Sequence, residues 1–318
     1  MYSSLNKKII LISSISIVIL LSFFIFTDSD ITPPSTVTAD ELFDVDKYLE
    51  SQLKNQIYKI EEDTEIYHRY VVKSDYDLYV QNIPLNDPII KFEFDESIII
   101  NTNITGPKNP NTIVIYPTFT SAAYSEPGFY TYFAGACDES CITDLSFANP
   151  ELKYTSSGMG TQLLRAFGYN FISDVDVDKY PEILKNYDTL ILLHNEYVTK
   201  KMFDAITAHP NIIFLYPNAL YAEIEVNHDD KTMTLIRGHN YPQIEIKNGF
   251  DYAVEEKFHS YEYDDDCFEP KFIKFENGYA LNCYPDAVIW ERPSILVELQ
   301  SLTLADWLCG FKMFKPTW

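Results

Sequence analysis

Apolar and polar positions divide the chain into regions of different period. Ile9 to Phe26 (IILISSISIVILLSFFIF) is an uninterrupted run without a charge. At about 18 residues it approaches the roughly 20 that a spanning helix needs. From Asp40 to Glu62 the apolar positions Leu42, Val45, Leu49, Leu53, Ile57 and Ile60 recur at steps of three and four, which predicts an amphipathic helix. Between 64 and 105 the pattern shifts to alternating β-branched and aromatic residues (EIYHRYVVKSDYDLYV, IIKFEFDESIII), which predicts strands. From 112 onward, short wholly apolar runs alternate with helical stretches. Thr112–Tyr116 (TIVIY), Tyr169–Val177, Thr189–Leu193 (TLILL) and Ile212–Tyr216 (IIFLY) read as strands. Ser157–Gly168, Pro181–Asn186 and Thr199–Ala208 read as the helices between them, with Thr199 as a cap.

Strands spaced by helices imply parallel βαβ units with right-handed crossovers. Ligands in such sheets bind beyond the carboxyl ends of the strands. Three segments fall there: 117–132, 194–197 and 217–221. After 222 strands return. Ile224–Val226 and Thr232–Arg237 bracket a turn-like Asn-His-Asp-Asp, and Phe272–Phe275 and Tyr279–Cys283 bracket Asn277-Gly278, a strong hairpin signal. Leu302–Phe311 reads as a closing helix. The expected organisation is therefore a membrane anchor over 1–26 with its span at 9–26, and a tether with the amphipathic helix over 27–62. A β-rich segment over 63–109 and an α/β domain with hairpin additions over 110–318 complete it.

Lys7 and Lys8 precede the apolar run, and Asp28 and Asp30 follow it. That asymmetry keeps the N-terminus in the cytoplasm and puts the rest of the chain outside as a single-pass protein. A cleaved signal peptide is the rival reading, but no small-x-small site directly follows the run. The five cysteines fit an oxidising compartment. Cys137 and Cys141 suggest a local disulfide, and Cys267 and Cys283 flank a hairpin that a second would tie. Asn103-Ile104-Thr105 is a glycosylation sequon. With 24 Lys+Arg against 47 Asp+Glu, the net charge of −23 excludes a sequence-independent grip on nucleic acid. A composition that is 46% hydrophobic and 15% aromatic excludes the disorder that acidity alone would suggest.

His194-Asn195-Glu196-Tyr197 directly follows strand TLILL, where a histidine two residues before a glutamate can supply an acid–base pair or a metal ligand with its partner. No Gly-x-Ser-x-Gly elbow, Walker A loop or dinucleotide glycine fingerprint is present. The acidic run Asp264–Asp266 lacks EF-hand spacing and reads as a solvated turn.

Three blocks in order carry a family resemblance: TIVIYPTFTSAAY (112–124), the stretch from 163 to 206 containing TLILLHNEY, and IIFLYPNALYAEIEVNHDDKTMTLI (212–236). Together they resemble the C-terminal domain of the N,N-dimethylformamidase large (β) subunit, whose fold is similar to that of class I glutamine amidotransferases. The resemblance implies an α/β domain with a parallel sheet and helices on both faces. It also implies an amidohydrolase with a mononuclear iron held by two tyrosines and a glutamate. On that pattern Glu196 and Tyr124 are metal ligands and His194 sits beside the metal. The second tyrosine is taken as Tyr132, with Tyr130 the alternative. Asn218 orients a substrate carbonyl. Ser125-Glu126-Pro127 stands where the family has Asn and then a Trp-Gly-Gly stretch, which keeps open a second reading: a non-catalytic extracellular binding or envelope protein that kept the fold and lost the site.

Overall fold

The structure, a computed structural model, describes residues 42–54, 58–63, 67–72, 90–94, 106–148, 155–250, 267, 269–275, 277–285, 289 and 293–309. Among them no helix is long and apolar enough to cross a membrane. The apolar run 9–26, the Asn103 sequon and Asp264–Asp266 lie outside the described residues.

Helix α1 (Val45–Leu53) starts at Asp44, whose side chain accepts from the Lys47 N–H, and buries Val45 and Leu49 beside Tyr116. The helix expected to reach Glu62 stops here. Tyr58–Asp63 is instead strand β1, paired antiparallel with β2 (Tyr67–Val72), which pairs with β3 (Ile90–Phe94). Ile57 and Ile60 fit a helical step, but the alternation of YKIEED also fits a strand, and short apolar runs do not separate the two. A partner strand of matching character decides it.

The principal sheet has six strands. Its parallel members are β4 (Thr112–Tyr116), β6 (Asn170–Ser173), β7 (Thr189–Leu192), β9 (Ile212–Phe214) and β13 (Gly278–Leu281). Strand β12 (Phe272–Phe275) pairs antiparallel with β13 at the edge, giving the order β12-β13-β9-β7-β4-β6. Every residue of β4, β7 and β9 is buried. Alternate side chains serve opposite faces: Ile113, Ile115, Leu190, Leu192, Ile212 and Phe214 enter one core, and Val114, Ile191 and Ile213 enter the other. Burial on both faces is why these strands read as continuous apolar runs. Helix α7 (Pro293–Cys309) supplies Ile295, Leu296 and Leu299 to the second core. It starts nine residues before the expected Leu302, on a proline whose fixed φ suits a first turn.

The crossovers carry short helices: α2 (Thr118–Ala123) and α3 (Phe129–Phe133) after β4, α4 (Thr161–Ala166), α5 (Asp174–Lys179) after β6, and α6 (Lys200–Thr207), capped by Thr199 through the Met202 N–H. The strand expected over Tyr169–Val177 ends at Ser173. Its hydroxyl accepts from the Val175 N–H, and Asp174 and Asp176 occupy the first turn of α5. Ser followed by Asp-Val-Asp is a helix start, and the valines masked it.

A second sheet, in the order β5-β11-β10-β8, joins β5 (Leu145–Ser146) and β8 (Tyr197–Val198) to the expected hairpin of β10 (Ala222–Asn227) and β11 (Thr232–Arg237). Disulfides link Cys137 to Cys141 and Cys267 to Cys283.

Candidate functional site

Strands β4, β7 and β9 are neighbours, so their carboxyl ends lie side by side. The segment after β4 winds into α2, and Thr120 of that helix organises the segment after β7. Its hydroxyl donates to the His194 carbonyl at 3.2 Å and accepts from the N–H groups of Glu196 (3.0 Å) and Tyr197 (3.4 Å). From the other side the segment after β9 clasps the same turn. Leu220 N–H donates to the Asn195 carbonyl, and the N–H groups of Tyr221 and Ala222 donate to the Glu196 carbonyl. Glu196 is thereby fixed, with no measurable exposure.

Its carboxylate is surrounded. Tyr124, at the C-terminal end of α2, donates to Oε2 at 2.9 Å. Tyr130 of α3 donates to the Tyr124 hydroxyl at 2.7 Å and stands 3.4 Å from Oε1. His194 Nε2 is 3.6 Å from Oε2, and His239 Nε2 is 2.6 Å from Oε1. Among the described residues no lysine or arginine pairs with this carboxylate. Burial pushes the Glu196 carboxyl up, but His239, His194 and the Tyr124 hydrogen bond more than offset it and hold the group below the ordinary carboxylate range. Burial drives the neighbouring Tyr197 phenol well above its usual value, so it stays protonated.

The expected residues are distributed as follows. Tyr124, His194 and Glu196 come together. The His194 ring stacks on Tyr216 at 4.6 Å and 20°. Tyr130, the alternative to Tyr132, is the second tyrosine beside the carboxylate. Tyr132 packs edge-on against Phe133 and Tyr241. Asn218 is buried, and its Oδ1 has no hydrogen-bond partner among the described residues.

His239 was not anticipated. It arrives from the turn that leaves β11. Gly238, His239 and Asn240 all have left-handed backbones, with φ of 130°, 51° and 64°. A side chain at position 238 would put its Cβ 2.9 Å from Ala222, so the close approach needs glycine. Nothing local in Arg-Gly-His-Asn marks a site. The residue reaches Glu196 because β10 pairs with β8, which follows Glu196 directly.

A family model described as N,N-dimethylformamidase beta subunit-like, C-terminal, matches residues 95–259. The chain belongs to this family. The formamidase-like region contains the whole cluster, from Tyr124 to His239. No curated protein matches the chain.

The side chains of this formamidase-like site suit a hard cation. Two phenol oxygens and a buried carboxylate held anionic converge with no lysine or arginine beside them, an oxygen donor set of the kind hard cations take. Among the described residues no three His, Cys, Asp or Glu side chains share a metal-holding arrangement, so an ion here depends on the tyrosine oxygens.

Proposed function

We propose that the chain is a membrane-anchored, extracytoplasmic, metal-dependent hydrolase of carbon–nitrogen bonds, built on a glutamine amidotransferase-like domain. The convergence of Tyr124, Tyr130 and Glu196 at the carboxyl ends of β4 and β7 carries this reading. These three residues would hold an iron, which when bound would polarise an amide carbonyl and lower the pKa of a bound water. His194 Nε2 would carry the proton to the leaving nitrogen. Asn218 would orient the carbonyl through its side-chain amide. Tyr130 is 37% exposed, so the edge of the cluster is open to solvent at this residue. The apolar run behind Lys7 and Lys8, together with the two disulfides, supports the anchored, extracytoplasmic placement.

Metal content tests the proposal. Full-length protein purified in detergent should carry close to one iron or zinc per chain, and Glu196→Ala should lose most of it. A metal-free wild type, or equal content in Glu196→Ala, would sink the hydrolase reading and leave the non-catalytic binding protein.

A further inference from the structure

His239 adds a second imidazole to the cluster at Glu196. The two histidines at Glu196 are not equivalent. His194 Nε2 stands 3.6 Å from Oε2, beyond hydrogen-bond reach, with its ring committed to the stack on Tyr216. His239 Nε2 stands 2.6 Å from Oε1, on the side of the carboxylate that Tyr130 approaches. Octahedral bonds of about 2.1 Å put neighbouring donors of one ion about 3 Å apart. The spacings from His239 to Oε1 (2.6 Å), Oε2 to Tyr124 (2.9 Å) and Tyr124 to Tyr130 (2.7 Å) are of that size.

The backbone is specialised to present this ring. Two consecutive non-glycine residues, His239 and Asn240, are held left-handed. Such conformations cost of order 1 kcal/mol or more each and persist where surroundings enforce them. Here the enforcement is visible. The Gly238 and Tyr241 backbones bond reciprocally, and His239 N–H donates to Lys247 O at 2.8 Å. Gly249 N–H ties the far end of the loop to the Tyr221 carbonyl at 2.7 Å. The imidazole itself packs among Tyr221 (4.4 Å), Tyr197 (5.5 Å) and Phe133 (5.5 Å).

We infer that His239 is a nitrogen ligand of the metal at this site, so that the donor set is Tyr124, Tyr130, Glu196 and His239, with His194 outside it. The inference rests on the metal-dependent reading above. Its test separates the two. Tag-free, full-length protein in detergent is stripped with chelator and loaded with ferric iron alone. Visible absorption then reads tyrosinate-to-iron charge transfer, and pulsed EPR reads imidazole nitrogen coupling. The expected result is a charge-transfer band with nitrogen coupling in the wild type and in His194→Gln. The coupling should be lost in His239→Gly and restored there by added imidazole. Glycine is chosen because it accepts the left-handed backbone without strain. A band without nitrogen coupling, or coupling that survives in His239→Gly, overturns the inference and leaves the metal reading standing. No bound iron and no band in the wild type overturns both.

Discussion

Tyr130 and Tyr132 lie two positions apart on α3, which on a helix is about 200° of rotation. Only one can face Glu196, and the sequence offers no sign of which. The fixed register of α3 puts Tyr130 on the carboxylate and turns Tyr132 toward Tyr241. Tyr130→Phe should therefore cut iron content several-fold and bleach the charge-transfer band, while Tyr132→Phe should leave both near wild type. Asp174 offers a second residue-scale test. It is fully buried, accepts from the Phe119 N–H at 3.1 Å and the Asn195 amide at 3.5 Å, and leaves Oδ1 without a partner among the described residues. Burial pushes its carboxyl up to about 8. For an acid raised in the folded state, stability is fully present below the unfolded value near 4 and is lost as pH rises toward 8. Asp174→Asn removes that loss. Its melting temperature should match wild type at pH 4 and exceed it by several degrees at pH 8, as read by circular dichroism. A constant difference across that range would assign the effect to packing instead.

At the scale of elements, β4, β7 and β9 were legible because burial on both faces leaves no polar position to interrupt them. The helix cap at Thr199 and the β10–β11 hairpin were legible from local chemistry. The start of β1 and the end of β6 were not, because isoleucine and valine suit either period there and the deciding factor is a partner strand or a cap. His194, Glu196 and Tyr124 were legible as strand-end and family positions. His239 was not, since only the pairing of β8 with β10 brings it near. Thr120 shows how two such elements are joined. One hydroxyl makes three contacts with the turn after β7, each worth about 1 kcal/mol net. Thr120→Val should cost about 2–3 kcal/mol in urea unfolding and loosen the turn that presents Glu196. Thr118→Val, which loses the contact to Ser173 at 2.8 Å and the side-chain hydrogen bond to the Asp174 carboxyl, should cost about 1–2 kcal/mol.

Across the whole molecule, a net charge of −23 makes the folded chain repel itself. Screening shortens the reach of that repulsion to about 8 Å at physiological ionic strength. The melting temperature should thus rise as sodium chloride is raised from a few millimolar to about 0.15 M, a trend opposite to that of a fold held by surface ion pairs. The disulfides act unequally by loop length. Cys267–Cys283 closes 16 residues and contributes about 3 kcal/mol on chain-entropy grounds, whereas Cys137–Cys141 spans only 4 and contributes less. The route from Tyr124 to His239 has a consequence for biosynthesis. The cluster draws on three separated stretches, and the last to leave the ribosome is the turn after β11. A nascent chain that has emerged only as far as β9 already owns both tyrosines and Glu196, yet its carboxylate still lacks the imidazole that helps hold it anionic. The hairpin that docks on β8 therefore completes the cluster last, by bringing His239 to Glu196.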